Sequence, residues 1–188
     1  SVNPNQAIYI HEKGDNGKLK VIKDSIPSFS FVNQNNDTIT NETFKGKIYV
    51  TDFFFTTCPS ICVPMSKEMS RIYDKYKKDD RVMLLSHSID YLNDSVSVLA
   101  EHAHDLGVKA PKWHFVECDR DQTYVFAKHY MNTAAKNEDA PGGYEHSGYL
   151  VLADVDGHLR SYADGTSAEK VDVFIEDIKI LLKEMDEK

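Results

Sequence analysis

A nearly continuous apolar and aromatic run, Ile48-Tyr49-Val50-Thr51-Asp52-Phe53-Phe54-Phe55, predicts a central strand covered on both faces. Upstream, Phe29 and Phe31 alternate with polar residues, and Asn33-Gln34-Asn35-Asn36-Asp37 supplies turn chemistry before Thr38-Ile39-Thr40, which reads as a short hairpin. Downstream, Met65, Met69, Ile72, Tyr73 and Tyr76 fall on one helical face that ends at Lys77-Lys78-Asp79-Asp80. Arg81 to Ile89 is the next buried strand. Ser95 caps a helix through Val98, Leu99, His102 and Leu106, and Gly107 stops it.

The remainder alternates in the same way. Trp113 to Val116 reads as a short strand, Asp121 opens a helix to about Tyr130, and Asn132 to Glu145 reads as a loop containing Pro141-Gly142-Gly143. Tyr149-Leu150-Val151-Leu152 and Leu159 to Tyr162 flank the hairpin signal Asp156-Gly157. Ser167 caps a last amphipathic helix through Val171, Phe174, Ile175, Ile178, Leu181 and Leu182. The order β-β-β-α-β-α-β-α-β-β-α indicates an α/β fold with a mixed central sheet.

At about 150 residues per domain, the 188 residues make one domain. Residues 1–25 are polar, apart from Ala7-Ile8-Tyr9-Ile10, and are expected to drape as an extension over a domain formed by residues 26–188. The charge balance of 22 basic against 30 acidic residues, net −8, argues against a broad nucleic-acid surface, which needs a positive field. There is no run of 18 apolar residues to cross a membrane. The chain starts at Ser1 rather than Met, as a processed or trimmed chain would.

Thr56-Thr57-Cys58-Pro59-Ser60-Ile61-Cys62-Val63-Pro64-Met65 lies where the central strand gives way to a helix. Ligands of open α/β sheets gather at the carboxyl ends of strands. A cysteine at a helix N-terminus has its thiolate favoured by the dipole and by free N–H groups. Pro59 and Pro64 suit a first turn, where a missing N–H costs little. Cys58 and Cys62 are four apart, so on a helical turn both sulfurs share a face. The pair can close a disulfide, hold one soft metal, or pack as two small hydrophobes. Cys118 stands apart as a spare thiol.

Of the eight histidines, His102 and His104 fall on a helix, one toward the core and one toward solvent. His11, His114, His129 and His158 read as surface or satisfied core residues. His87, in a buried strand, is the second choice for a functional role. His146 is the first, because it follows a Gly-Gly loop and precedes a strand, and so can approach the cysteine turn.

Several segments resemble the Sco/SenC family of copper proteins that serve cytochrome c oxidase assembly. Phe53-Phe54-Phe55-Thr56-Thr57-Cys58-Pro59-Ser60-Ile61-Cys62 is similar to that family's aromatic strand and cysteine motif. Ser88-Ile89-Asp90 with Asp94 and Ser95, Glu145-His146-Ser147, and Asp154-Val155-Asp156-Gly157 match further family segments, with Tyr91 in place of a proline and Glu145 in place of an aspartate. The resemblance runs from about Ile26 to Met185. It implies a thioredoxin-like fold, with the N-terminal β-hairpin as an addition, and a copper site of Cys58, Cys62 and His146.

It further implies a metallochaperone that delivers copper to the dinuclear copper centre in the copper-receiving subunit of cytochrome c oxidase. A thiol reductant protein would be a second partner. The place of action would be the periplasm or the mitochondrial intermembrane space, with an N-terminal membrane anchor outside this chain.

Two thiolates and an imidazole suit Cu(I), and can hold Cu(II) with an added ligand. Zinc would require a fourth donor. Reduced Cys58 and Cys62 would accept the ion, His146 would complete the site, and the loop before it would move as it engages and leaves. Oxidation to a disulfide would gate loading. The second ring nitrogen of His146 wants an acceptor, Glu145 or a backbone carbonyl. Asp90 is either a supporting group of the site or a turn residue. The main rival function is a thiol-disulfide oxidoreductase in which Cys58 and Cys62 form the redox pair and act on a copper-receiving partner. A peroxidase and a redox or copper sensor are further alternatives.

Overall fold

The hairpin expected at the start of the domain is present. In the computed structural model, which describes residues 16–23 and 25–188, β1 (Ser30–Val32) pairs antiparallel with β2 (Thr38–Thr40), setting Phe31 opposite Ile39, both buried. Asn33 shapes the turn, its Oδ1 accepting from the N–H groups of Asn35 and Asp37, both at 2.9 Å. His11 and the cluster Ala7–Ile10 lie outside the described residues.

The aromatic run becomes β3 (Ile48–Phe54), buried along its whole length. It is the middle strand of a five-stranded sheet ordered β5-β4-β3-β8-β9. β4 (Val82–Ser88) and β5 (Trp113–Val116) run parallel to it, reached through α1 (Cys62–Tyr76) and α2 (Val96–Leu106). On its other side lie the antiparallel strands β8 (Tyr149–Ala153) and β9 (Leu159–Asp164), joined at Asp156-Gly157. α3 (Arg120–His129) precedes them, and α4 (Ala168–Asp186) packs on β9 and α1. A mixed sheet flanked by helices with an added hairpin is the thioredoxin-like arrangement expected. Among the described residues no helix is long and apolar enough to cross a membrane.

Strand alternation divides the core into two faces. Phe53 and His87, paired across β3 and β4, face Phe31 and Tyr130. Asp52, Phe54 and Ser86 face the opposite side, where His102 of α2 stacks on Phe54 with ring centroids 5.2 Å apart. The Ser95 and Ser167 hydroxyls accept from the N–H groups of Val98 and Lys170, and Gly107 ends α2 at φ +70°, a left-handed conformation that suits glycine. Leu19 is buried, and Ile22 donates its N–H to Leu159 O at 2.8 Å, so this leading segment runs along β9.

Two expectations change. The cap of α3 is Asp119, not Asp121: its extended backbone lets the carboxylate accept from Gln122 N–H, and Asp121 falls in the first turn. The segment Asn132 to Glu145 is not a loop. β6 (Ala134–Lys136) and β7 (Tyr144–His146) pair antiparallel as a separate ribbon, joined through a 3-10 turn at Pro141–Gly143. Three-residue strands carry too few positions to show an alternating pattern.

Candidate metal centre

After β3 the chain turns at Thr56 and Thr57, with Cys58 N–H donating to Phe55 O at 3.1 Å. Asp94 holds this turn: its carboxylate accepts from Thr56 N–H (3.0 Å), from Thr56 Oγ1 (2.5 Å) and from Ser88 Oγ (2.7 Å), tying the turn to the end of β4. Cys62 is the first residue of α1, and no side chain caps that helix. Cys58 lies before the helix rather than on it, so the turn, and not helical spacing, brings the two sulfurs together.

His146 arrives from the far end of the chain as the last residue of β7. Its Nε2 lies 3.0 Å from Cys62 Sγ and 4.0 Å from Cys58 Sγ. The two sulfurs and this nitrogen all lie within 4.8 Å of one another, and both cysteines are free thiols. Nδ1 is 3.1 Å from Ser147 O. A carbonyl can only accept, so Nδ1 donates to it, and Nε2 is the ring nitrogen that faces the sulfurs. The backbone-carbonyl alternative is therefore the one realised; Glu145 instead accepts from Asn137 Nδ2 at 3.2 Å.

The sulfurs are electrostatically unlike. Burial alone would raise the Cys58 thiol, but hydrogen bonds from His146, Cys62 and the backbone of Ser60 and Cys62 outweigh it and bring it down to about 6. Burial raises Cys62 strongly, and its hydrogen bond to Cys58 raises it further, since a thiol that donates to a thiolate keeps its proton. The two residues are almost equally screened, 9% and 8% exposed, but Cys62 is enclosed by more protein, so Cys58 ionises first although the imidazole is closer to Cys62. Alkylation by iodoacetamide is therefore expected at Cys58 first, with a rate that falls as pH drops through about 6, and Cys62 is expected to stay unmodified at neutral pH. Peptide mass spectrometry of timed samples checks both statements.

A cavity of about 350 Å³ adjoins the two cysteines between α1 and α2, floored by Asp52, Ser86, Trp113 and Phe115. Ser86 Oγ donates to Asp52 and accepts from Trp113 Nε1 at 2.9 Å. Burial pushes the Asp52 carboxyl up to about 6 against the Ser86 hydrogen bond.

The other candidates lie elsewhere. His87 is on the opposite sheet face and does not reach the sulfurs. His102 is half-buried, His104 is exposed, and His114 contacts Asn33 Nδ2 at 3.0 Å through Nδ1. Cys118 is half-buried and its thiol is pushed up to about 11 by burial. Asp154, Asp156 and His158 offer a second clustered donor set, but Asp154 already accepts from two backbone N–H groups and pairs with Arg160 at 3.0 Å. That cluster is hairpin chemistry. Asp90 is a turn residue, accepting from Leu92 and Asn93 N–H, and it also accepts from Tyr144 OH at 2.8 Å. Sequence reasoning missed Tyr144, Thr56 and Asp52, and only Asp52, a charge inside a buried strand, carried a signal.

Known proteins share this architecture. The SCO1 protein homolog of Bacillus subtilis (strain 168) is 26% identical over 156 residues, 82% of this chain and 81% of that protein. Among solved structures, BsSco, a member of the Sco family of cytochrome c oxidase assembly proteins described as having a disulfide switch, superposes with TM-score 0.75 at 25% identity, covering 87% of this chain and 97% of that one. Arabidopsis thaliana ScoI with copper bound superposes with TM-score 0.71 at 20% identity, covering 86% and 99%, a likeness of fold. The SCO1/SenC family model matches residues 19–183, nearly the whole described chain, and the protein belongs to that family.

Proposed function

We propose that this chain is a copper-binding metallochaperone that carries one copper ion as cargo on Cys58, Cys62 and His146 and passes it to the copper-receiving subunit of cytochrome c oxidase, at its dinuclear copper centre. The observation that carries the reading is the convergence of two free thiols and one imidazole nitrogen within 4.8 Å, from segments 84 residues apart. Two soft sulfurs and an imidazole favour Cu(I), accept Cu(II) with an added ligand, and leave zinc short of a fourth donor. The copper-bound Arabidopsis relative and the assembly role of the BsSco family support the choice of metal and partner. The family resemblance supports action in the periplasm or the mitochondrial intermembrane space.

Cargo moves by ligand exchange. Cys58, already largely thiolate at pH 7, makes the first contact. Cys62 loses its proton as the ion binds, and His146 closes the set through Nε2. Competing thiolates of the partner then replace these donors one at a time. Oxidation of Cys58 and Cys62 to a disulfide removes both thiolates, so a thiol reductant protein would be needed before loading. The same asymmetry, an ionised sulfur beside a buried protonated one, supports a second reading: a thiol-disulfide oxidoreductase that reduces the copper-receiving partner.

Proton release gives a pH dependence with a definite sign. Near pH 7 capture displaces chiefly the Cys62 proton, so Cu(I) affinity rises about tenfold per pH unit; below about 6 the Cys58 proton is displaced as well and the slope steepens toward a hundredfold per unit. Competition titrations against a Cu(I) chelator from pH 5.5 to 8 read it, and a flat profile refutes thiolate capture. Mixing copper-loaded protein with the metal-free soluble domain of the receiving subunit tests delivery. The absorption of a dinuclear copper centre is expected to appear; failure to bind Cu(I) at all, with disulfide reduction of the partner intact, selects the oxidoreductase.

A further inference from the structure

His146 is held at both ends of β7. At the carboxyl end, Ser147 N–H donates to Thr133 O (3.0 Å) and Ser147 Oγ donates to Asn132 Oδ1 (2.8 Å), anchoring the ribbon base beside β8. At the other end stands Tyr144, two residues earlier and so on the same strand face as His146. Its ring lies 5.3 Å from Phe55, which also meets the His146 ring edge-on at 6.0 Å, and its hydroxyl donates to Asp90 Oδ1 at 2.8 Å. Both partners of that bond are buried, with Tyr144 5% and Asp90 1% exposed. The connecting turn leans on the same place: a Cβ at Gly142, whose φ is +78°, would come to 2.7 Å from Phe55 Cε2 and 3.2 Å from Pro59 Cδ.

The ribbon is thus fitted against Phe55 and Pro59, the residues that lead into and out of the Cys58 turn. We infer that Tyr144, clasped to Asp90 through its hydroxyl, is a positioning residue that sets how firmly the β6–β7 ribbon holds His146 over the sulfur pair, and hence how readily that ring disengages. Asp90 is a fixed anchor, because its carboxylate also accepts from Leu92 N–H (3.0 Å), Asn93 N–H (3.1 Å) and Asn93 Nδ2 (2.8 Å). It keeps those three bonds when the tyrosine hydroxyl is removed, so Tyr144→Phe leaves no orphaned carboxylate and retains the ring on Phe55. The clasp itself is a statement about the ribbon; its effect on cargo rests on the copper reading.

Two arms test the inference separately. In metal-free protein, hydrogen exchange followed by NMR is expected to show amides of Ala134–Lys136 and Tyr144–His146 opening about tenfold more often in Tyr144→Phe, with β3 and α1 unchanged. In copper-loaded protein, Cu(I) release to a chelator is expected to accelerate about tenfold, and the imidazole-nitrogen coupling in the Cu(II) electron paramagnetic resonance spectrum is expected to weaken. A merely stabilising role would not change that coupling. Gly142→Ala, which presses on Phe55 without touching the hydrogen bond, is expected to shift all three readouts in the same direction. Wild-type ribbon exchange in both variants overturns the clasp. Faster exchange combined with no copper binding even in the wild type leaves the clasp standing and sinks the copper reading. Faster exchange with unchanged copper release and unchanged nitrogen coupling also overturns the inference, since the ribbon would then not govern the ring.

Discussion

Serine at position 58 or 62 is expected to weaken Cu(I) binding by about a thousandfold, while His146→Ala weakens it by about ten- to a hundredfold. Metal–thiolate sites with four ligands yield apparent binding energies of about 10–16 kcal/mol, or ~2.5–4 kcal/mol for each ligand, which is a factor of roughly 10²–10³. The sulfur variants belong at the upper end, because a serine hydroxyl is hard, neutral at pH 7 and poorly matched to Cu(I). The imidazole belongs lower, because it is a neutral donor beside two anionic ones and leaves a two-thiolate site when removed. The sulfurs should also differ in a second respect. Cys62→Ser leaves the Cys58 thiolate with fewer donors facing it, so its thiol rises above about 6 and residual binding becomes more acid-sensitive. Competition titration with a chromophoric Cu(I) chelator, carried out anaerobically on each reduced variant, gives the constants. Near wild-type affinity in Cys58→Ser or Cys62→Ser would show that the metal sits somewhere other than between these residues.

The parts of this site that could be read in the sequence are those whose signals are local. The run from Ile48 to Phe55 has no polar face to expose, so it could only be a covered strand, and the cysteine turn at its end had to lie at the carboxyl edge of the sheet. Ser95, Gly107 and Ser167 mark helix ends by chemistry confined to one turn, and each performs that role. Cys58 and Cys62 were legible as a pair for the same reason, although the expected helical spacing was the wrong geometry: the chain is still turning at Cys58. His146 was legible only by its place between a Gly-Gly step and a strand.

The features hidden from the sequence are long-range. Nothing near Tyr144 announces a bond to Asp90, 54 residues earlier. The ribbon that carries His146 consists of two three-residue strands whose pairing depends on anchors supplied by Asn132 and Phe55, so no periodicity betrays it. Glu145 was one of two acceptors open to the imidazole, the other being a backbone carbonyl, because it is adjacent in sequence and charged. On a strand, however, neighbouring side chains point to opposite faces, and the ring turned instead to the Ser147 carbonyl.

His87 and Asp52 make a paired prediction about stability against pH, one in which the wild type conceals what the variants reveal. His87 is fully buried, stacked on Phe53 at 4.8 Å, and neither ring nitrogen has a hydrogen-bond partner among the described residues. Burial pushes its pKa down to about 3 from 6.5, so as pH falls through that window the unfolded chain takes up a proton that the native state refuses, and stability is lost at up to about 1.4 kcal/mol per pH unit. Asp52 has the opposite sign. Its carboxyl is raised from 3.8 to about 6, so the native state holds the extra proton in that window and stability is gained as pH falls, by about 3 kcal/mol in all.

Between about pH 4 and 6 the two contributions nearly cancel. His87→Leu removes the first, and its stability relative to wild type is expected to climb by about 3 kcal/mol from pH 6.5 to 4. Asp52→Asn, which keeps an acceptor for Ser86, is expected to lose about 2 kcal/mol relative to wild type from pH 6 to 4. Any packing change at either site adds a constant offset and leaves these slopes intact, and carboxylates elsewhere titrate alike in all three proteins. Urea denaturation at half-unit pH intervals measures them. Parallel stability curves for His87→Leu and wild type would mean that the native interior lets His87 ionise, against its burial without a partner.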